Sequence, residues 1–311
     1  DKEAKYGGSL KVNLNKDKES ELKLSYKNDV QEFGTFHHRN LGRKMLSQRT
    51  FIVSEMNTIK HYGLAWKTRS LRYLQSEILV AQDQITPQYT YLYQNAVLNP
   101  LNVSSLGINL RYAFKEKYIQ TMNKRISMGT KYPVLSCVFK MADKDILNSG
   151  VTFTSLKVKA NFSRYWKNLG KTNISMEAGK VFNDVPAPLL FSGEGSLDDR
   201  IRLFIPQTFQ TVLPYEFLSN QFAHIYLHHN FGSLLFKTEK FKPEFSLVHN
   251  MGWSKLDNSN KHQFKDVKYD MSKGFVESGL IIDNILRMNY LDVGYLGFGA
   301  GVFVRYGAYA H

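Results

Sequence analysis

Apolar and polar residues alternate with a period of two along most of the chain. Between residues 155 and 166, the even positions from Leu156 to Phe162 are apolar, whereas the odd positions carry mainly serine, lysine and asparagine. Clear alternation also occurs in residues 106–114, 223–231 and 294–306, and weaker alternation in residues 62–67, 135–141, 173–179, 245–253 and 275–282. Because successive side chains of a strand point to opposite faces, this pattern predicts β-strands, and helical periodicity is nearly absent.

Charged, turn-rich connectors separate the predicted strands. They lie at residues 15–19, 143–145, 167–171 and 256–261. The strands number roughly a dozen or more, at about 8–12 residues each. No proline- or serine-rich linker interrupts the chain, and no period of about 20–50 residues repeats, which argues against propellers and solenoids. We therefore predict a single domain over residues 1–311.

Two all-β architectures fit this alternation, a soluble sandwich and a membrane barrel. Strands that cross a membrane need about 9–11 residues, with apolar side chains toward lipid and polar ones toward the interior. Aromatic residues end several predicted strands, as in the girdles at the level of the lipid headgroups; these are Tyr112, Phe114, Tyr165, Trp166 and Tyr306. We therefore expect an all-β fold, a transmembrane antiparallel β-barrel of roughly 12–16 strands. A soluble all-β binding or structural module stays open as the alternative.

The composition narrows the class of protein. The 311 residues include 41 Lys and Arg against 27 Asp and Glu, a formal charge of +14, and 14% are aromatic. So many aromatic residues exceed what a disordered chain carries. The one cysteine, Cys137, excludes an internal disulfide framework and a cysteine-based zinc cluster. The basic residues are dispersed rather than gathered in one stripe, and no recognisable motif accompanies them, so we expect no nucleic-acid partner.

Polar residues in the middle of the predicted strands are candidates for lining the barrel lumen. They are Arg111, Lys157, Lys159, His224 and His228. His224 and His228 share one face of a strand about 13 Å apart, too far to hold a single metal ion without ligands from other strands. We therefore predict no metal site and no cofactor. Acidic residues such as Glu177 and Glu277 should pair with the lumenal lysines or arginine, because buried charges of one sign are costly.

The sequence carries no pattern typical of a catalytic site. A barrel-embedded hydrolase would need a nucleophile with an oriented base, and no G-x-S-x-G elbow is present. The glycine-rich run at residues 192–196 does not lie between a strand and a helix, which argues against a phosphate cradle. We therefore expect no enzyme activity and no catalytic residue, with the hydrolase as a third, less favoured hypothesis.

Several motifs occur in an order that resembles a known family. They are SLGINLRY at residues 105–112, GTKYP at 129–133, PYEFLSN at 214–220, HHNFG at 228–232, VESGLIIDNILR at 276–287 and GAGVFVRYG at 299–307. Over about residues 60–307 the chain resembles the barrel of the large Bacteroidota outer-membrane family catalogued as a domain of unknown function, DUF5686. That barrel looks like a distant relative of the Omp85 surface-antigen barrels, which insert or translocate proteins.

The resemblance implies a location and a role. It places the chain in the outer membrane of a Gram-negative bacterium, in transport, export or envelope assembly without covalent chemistry. Its partners would be outer-membrane lipid and lipopolysaccharide, which basic loops attract, together with a protein or lipid client. We expect the N-terminal carboxypeptidase-regulatory-like domain of the family to be absent and the barrel to be truncated at its ends.

The resemblance also implies a docked loop. In Omp85-like barrels, a loop folds into the lumen and docks by an arginine, and the segment 192–213 occupies the corresponding place in the order of this chain. It contains Arg200 and Arg202. We expect one of these arginines to dock inside the barrel, with Glu277 as its lumenal partner. An ordinary extracellular loop is the open alternative for this segment.

Overall fold

The computed structural model describes residues 5–32, 56–121, 125–193, 195, 204–213, 215–233, 242–264, 270–290 and 294–310. The strands in these ranges are β1 (Tyr6–Asn15), β2 (Ser20–Glu32), β3 (Met56–Leu71), β4 (Leu74–Pro87), β5 (Tyr91–Tyr93), β6 (Ala96–Val97), β7 (Leu101–Ala113), β8 (Lys117–Gln120), β9 (Arg125–Gly129), β10 (Val134–Ala142), β11 (Phe153–Trp166), β12 (Gly170–Phe182), β13 (Phe191–Ser192), β14 (Leu218–Ser219), β15 (Gln221–Gly232), β16 (Glu244–Lys255), β17 (His262–Phe264), β18 (Phe275–Tyr290) and β19 (Gly294–Gly307). One short helix, α1 (Lys144–Leu147), and two 3₁₀ turns, Ala187–Leu189 and Ser259–Lys261, complete the described elements. No helix in these ranges has the length and apolar character needed to span a membrane.

Twelve long strands form one antiparallel sheet. Its order is β1-β2-β3-β4-β7-β10-β11-β12-β15-β16-β18-β19, so each long strand pairs with the next one along the chain. The strands β1 and β19 are the two ends of this order, and in the described ranges they are not hydrogen-bonded to each other. The expectation of an all-β, antiparallel fold is confirmed.

Alternation divides the side chains of this sheet between two faces. The register pairs Lys159 of β11 with Glu177 of β12, and Glu177 with His224 of β15. We call the face that carries these three residues the inner face. The opposite, outer face carries Val158 and Leu247, which are 43% and 47% exposed. The period-two pattern of the sequence therefore corresponds to these two faces.

The two ends of the sheet differ in their connections. At one end, which we call the turn end, short connections at residues 16–19, 72–73 and 167–169 join successive strands. The connection at residues 167–169 leads into Gly170, the first residue of β12. Glycine is required there, because its φ is +97° and a Cβ would lie 2.0 Å from the Asn230 carbonyl oxygen. The longer connection from β7 to β10, also at the turn end, carries the β8–β9 hairpin.

Long connections meet at the opposite end, which we call the capped end. They span residues 88–100, 143–152, 183–220 and 256–274. Their apolar side chains pack on inner-face residues at the strand ends and form the larger core, which consists of Ile85, Tyr91, Val103, Ala142, Val151, Phe153, Val181, Val185, Ala187, Leu189, Leu190, Phe191, Tyr215, Leu218 and Phe222. This larger core is therefore a cap across one end of the sheet.

Candidate functional site: the polar inner face

Burial on the central strands is the reverse of what a water-soluble sheet shows. The buried side chains in the middle of the inner face are mainly polar or charged; they include His61, Ser105, Ser136, Ser155, Lys157, Ser175, Glu177, His224, Ser246, Asn250, Ser254 and Glu277. The exposed side chains of the outer face are mainly apolar; they include Leu64, Trp66, Ile78, Val80, Leu110, Leu135, Leu156, Val158, Met176, Leu247, Met251, Leu280, Val302 and Val304. In the described ranges, the sheet therefore buries its polar face and exposes its apolar one.

One buried carboxylate organises the positive charges on the inner face. Glu177 Oε2 lies 3.5 Å from Lys159 Nζ and 3.6 Å from Lys157 Nζ. On its other side, Glu177 Oε1 lies 3.7 Å from His224 Nδ1. All four side chains are at most 10% exposed. The two lysines and His224, predicted to line the lumen, thus meet around Glu177, whose charge offsets the cost of burying the lysine charges.

Arg111 lies nearer the turn end and pairs with a different carboxylate. Its two Nη atoms donate to Glu116 Oε2 and Oε1 at 2.7 and 2.6 Å. Burial alone would raise the pKa of Glu116, but hydrogen bonds from Arg111, Ser127 and Tyr118 outweigh it and lower the pKa to about 2. Glu116 and Tyr118 belong to the connection between β7 and β10. The Arg111–Glu116 pair therefore fastens the β8–β9 hairpin to the twelve-stranded sheet.

A second buried carboxylate holds a segment of chain against the inner face. We call residues 204–213 the inner segment. Glu277, which is 0% exposed, accepts from the backbone N–H groups of Gln210 at 2.7 Å and Thr211 at 2.9 Å. It also accepts from Thr211 Oγ1 at 2.6 Å and from Asn250 Nδ2 at 2.7 Å. Four donors on one carboxylate make a strong anchor, because hydrogen bonds to charged groups exceed neutral ones in strength.

Other contacts extend this docking along the inner segment. Lys159 Nζ donates to Gln207 Oε1 at 2.9 Å, and Asn250 Nδ2 donates to the Thr208 carbonyl at 3.2 Å. Phe209, fully buried, packs edge-on against the rings of His224 and Phe275, each with ring centroids 5.0 Å away. The inner face of the sheet, which we also call the wall, therefore holds the inner segment by charge, by hydrogen bonds and by aromatic packing.

Arg200 and Arg202 lie outside the described residues. For Glu277, the partner predicted from the sequence was an arginine side chain, whereas its partners in the described ranges are the backbone amides of residues 210 and 211, a threonine hydroxyl and an asparagine amide. Asn250 and Thr211 were missed. The alternation of residues 245–253 could have placed Asn250 on the inner face, but no sequence pattern marks the return of residues 210–211 to it.

His228 lies on the inner face two steps closer to the turn end than His224, with Tyr226 between them. Its ring meets Phe204 of the inner segment edge-on, with 5.9 Å between ring centroids. In the described ranges, no group of three or more histidine, cysteine or acidic residues is arranged to hold a metal ion.

The capped end carries a hydrogen-bond chain of its own. The Ala187 N–H donates to Tyr91 Oη at 3.1 Å, and Tyr91 Oη lies 2.8 Å from His262 Nδ1. Burial lowers the pKa of His262 to about 4; Asp184 opposes and Lys261 assists this shift. Burial likewise raises the pKa of the Tyr91 hydroxyl. The neutral imidazole therefore accepts a hydrogen bond from the tyrosine hydroxyl. This chain of hydrogen bonds links β17, β5 and the turn at Ala187.

The sequence of this sheet matches one protein family directly. Residues 79–271 match the profile described as "Family of unknown function (DUF5686) C-terminal domain". This span runs from β4 to residue 271, shortly before β18. It includes Glu177 with its basic neighbours and the inner segment. The chain belongs to the DUF5686 family. The resemblance inferred from the motifs is therefore confirmed.

Solved structures show what the DUF5686 fold is similar to. One is described as the crystal structure of BamA from Haemophilus ducreyi lacking POTRA domains 1-3; it has a TM-score of 0.54 and 11% sequence identity. The match covers 97% of this chain and 59% of the BamA chain. This likeness concerns the fold alone. No curated protein sequence matches the DUF5686 chain.

Proposed function

We propose that the chain is a transmembrane β-barrel domain in the outer membrane of a Gram-negative bacterium. The observation that carries this proposal is the reversed burial of the sheet, in which Glu277 is fully buried and Val302 is 71% exposed. In water, so much contiguous apolar surface would favour aggregation. Against lipid the same surface is stable, and the polar inner face then belongs to the interior of the barrel.

Aromatic residues support the same orientation of the sheet. Trp166 lies on the outer face, is 41% exposed and ends β11 at the turn end. At the capped end, Tyr306 is 42% exposed, one residue before β19 stops. Such amphipathic rings are favoured at the two levels where a bilayer meets water.

For the role of the barrel, we propose export or envelope assembly with a protein or lipid client rather than free diffusion of solutes. The inner segment and the apolar cap both occupy space that an open channel would leave to water. The proposed role involves binding and movement of a client, and no covalent chemistry. The charge of +14 would attract phosphate-bearing lipids such as lipopolysaccharide to the parts of the chain outside the bilayer.

Membrane fractionation combined with heat-modifiable gel mobility tests this proposal. We expect the chain to sediment with the outer membrane, to need detergent for extraction, and to migrate differently before and after boiling. A monomer that stays soluble without detergent would overturn the proposal in favour of a soluble all-β module. Labelling of the extracted barrel by a serine-reactive probe would overturn the absence of covalent chemistry in favour of a barrel-embedded hydrolase.

A further inference from the structure

A cavity of about 390 Å³ lies between the inner segment and the inner face. Its wall comes from β10, β11, β12, β15 and β16, and Gly129, Thr130 and Tyr132 border it toward the turn end. Its volume falls in the range of small-molecule sites in proteins. This space is separate from the apolar cap, which closes the opposite end of the sheet.

The chemistry of the cavity lining differs from that of its surroundings. Among the described residues that line it, none is Asp, Glu, Lys or Arg, although Lys159 and Glu177 lie one inner-face step away. The polar groups of the lining are amides and hydroxyls, such as those of Asn161, Asn173 and Ser175. Against these described residues, a charged ligand would lose its hydration without gaining a charged partner, which favours neutral ligands.

Three buried polar atoms of the lining make no hydrogen bond to the described part of the chain. They are Asn161 Oδ1, Ser175 Oγ and His228 Nε2. The register joins two of them, because Asn161 pairs with Ser175 across β11 and β12. Buried polar groups are normally satisfied, so these atoms are suited to bind groups that enter the cavity. Hydroxyl groups fit them well, since each hydroxyl both donates and accepts.

Aromatic rings complete the lining. Phe204 of the inner segment stands against His228, and Tyr226 lies on the wall between Ser175 and Asn250 in the register. Ring faces pack against the C–H faces of a sugar, while amides and hydroxyls bind its rim. A cavity with this combination of groups binds molecules that have apolar faces and many hydroxyl groups.

We propose that this cavity binds a neutral saccharide of one or two rings. The proposal concerns the space between the inner segment and the wall, and it goes beyond the export or assembly role. Saccharide binding requires only that the fold be intact. The saccharide proposal can therefore be wrong while the membrane location is right, and it can be right whatever the exported client is.

Saturation-transfer difference NMR on the full chain tests the proposal, in micelles of a detergent without a sugar headgroup. The probes are maltose and N,N′-diacetylchitobiose, with glucuronate as the charged comparison. We expect at least one neutral disaccharide to bind with a Kd below about 10 mM and glucuronate to bind at least about fivefold more weakly. Absence of binding by both neutral probes, or equal binding of glucuronate, would overturn the proposal.

Variants locate the binding. Ser175→Ala and Asn161→Leu together should weaken the disaccharide at least about fivefold, because each removes a hydrogen-bonding group. Ser136→Ala is the matched control: Ser136 is also a buried inner-face serine whose Oγ makes no hydrogen bond to the described residues, but it does not line the cavity. If Asn161→Leu does not fold, as judged by circular dichroism, Asn173→Leu at the half-buried rim replaces it. Binding that the cavity variants leave unchanged, or that Ser136→Ala weakens equally, would contradict the site.

Discussion

His262 sets a pH dependence at the capped end of the sheet. Its Nδ1 lies 2.8 Å from the Tyr91 hydroxyl, which already accepts from the Ala187 N–H, so the tyrosine proton points to the imidazole. Protonation of His262 would place a charge among buried rings and would remove the acceptor of the tyrosine proton. The charged groups nearest this contact in the described ranges are Asp184 and Lys261, which pair with each other, and burial outweighs both.

We predict that the capped end loses stability in mild acid through His262. Its folded-state pKa of about 4 lies below the ordinary value of about 6.5, so the unfolded chain binds the proton more readily. The contribution of the neutral imidazole is complete above about pH 6.5 and is lost as the pH falls toward 4. Thermal unfolding of the parent chain and of His262→Gln at pH 7 and pH 5 should show a smaller acid shift in the variant.

Tyr91→Phe is the control for this prediction. It removes the hydroxyl that donates to His262 but leaves the imidazole buried among the same rings. It should lower the unfolding temperature at both pH values while keeping the acid shift of the parent, because burial is the main cause of the low pKa of His262. An acid shift in His262→Gln as large as that of the parent would assign the titration to another group.

Among the elements of the structure, the inner segment depends most on one side chain. Glu277→Gln keeps the size of the side chain but replaces an oxygen acceptor by an amide that donates, opposite donors from Gln210, Thr211 and Asn250. We predict a loss of about 2–3 kcal/mol in the free energy of unfolding. We also predict faster proteolysis within residues 204–213, measured by limited digestion and mass spectrometry.

Glu244→Gln provides the matched comparison. Glu244 begins β16 at the turn end and accepts from Asn230 and Asn284 at 3.1 Å each. Its described contacts do not include the inner segment, so the variant should leave the digestion pattern of residues 204–213 unchanged. Equal release of the inner segment by both variants would show that general loosening of the wall, and not the Glu277 anchor, controls the segment.

The elements also show which structural features could be predicted from the sequence. Alternation in β11 placed Lys157 and Lys159 on one face and Leu156 and Val158 on the other, because the period of a strand is fixed by its backbone. The docking of residues 210–211 on Glu277 could not be predicted in this way. It uses backbone N–H groups, which every residue except proline carries, and it depends on how a 38-residue connection at 183–220 returns to the wall.

For the molecule as a whole, the outer face gives the most direct prediction. Val158 lies near the middle of β11, is 43% exposed and faces outward. In a bilayer, Val158→Arg should lower the free energy of unfolding by about 2–4 kcal/mol, because an arginine at the midplane must leave water. Urea titration of the chain folded into lipid vesicles measures this loss.

The depth dependence of that effect provides its control. Leu169 lies in the tight connection between β11 and β12 and is 58% exposed. Near the membrane surface an arginine costs only about 0–1 kcal/mol, so Leu169→Arg should be close to neutral. If Val158→Arg is equally neutral, the outer face meets water, because exposed substitutions in soluble proteins usually change stability by about 0.5 kcal/mol or less.

The order of the twelve-stranded sheet has a consequence for how such chains can diversify. Each long strand pairs with the next one along the chain, so insertion or deletion of one hairpin in the middle of the sheet disturbs only the pairs beside it. The remaining strands keep their partners, their register and their inner and outer faces. Duplication of a hairpin would thus widen the sheet by two strands, so the width of the inner face can change over evolutionary time without a new fold.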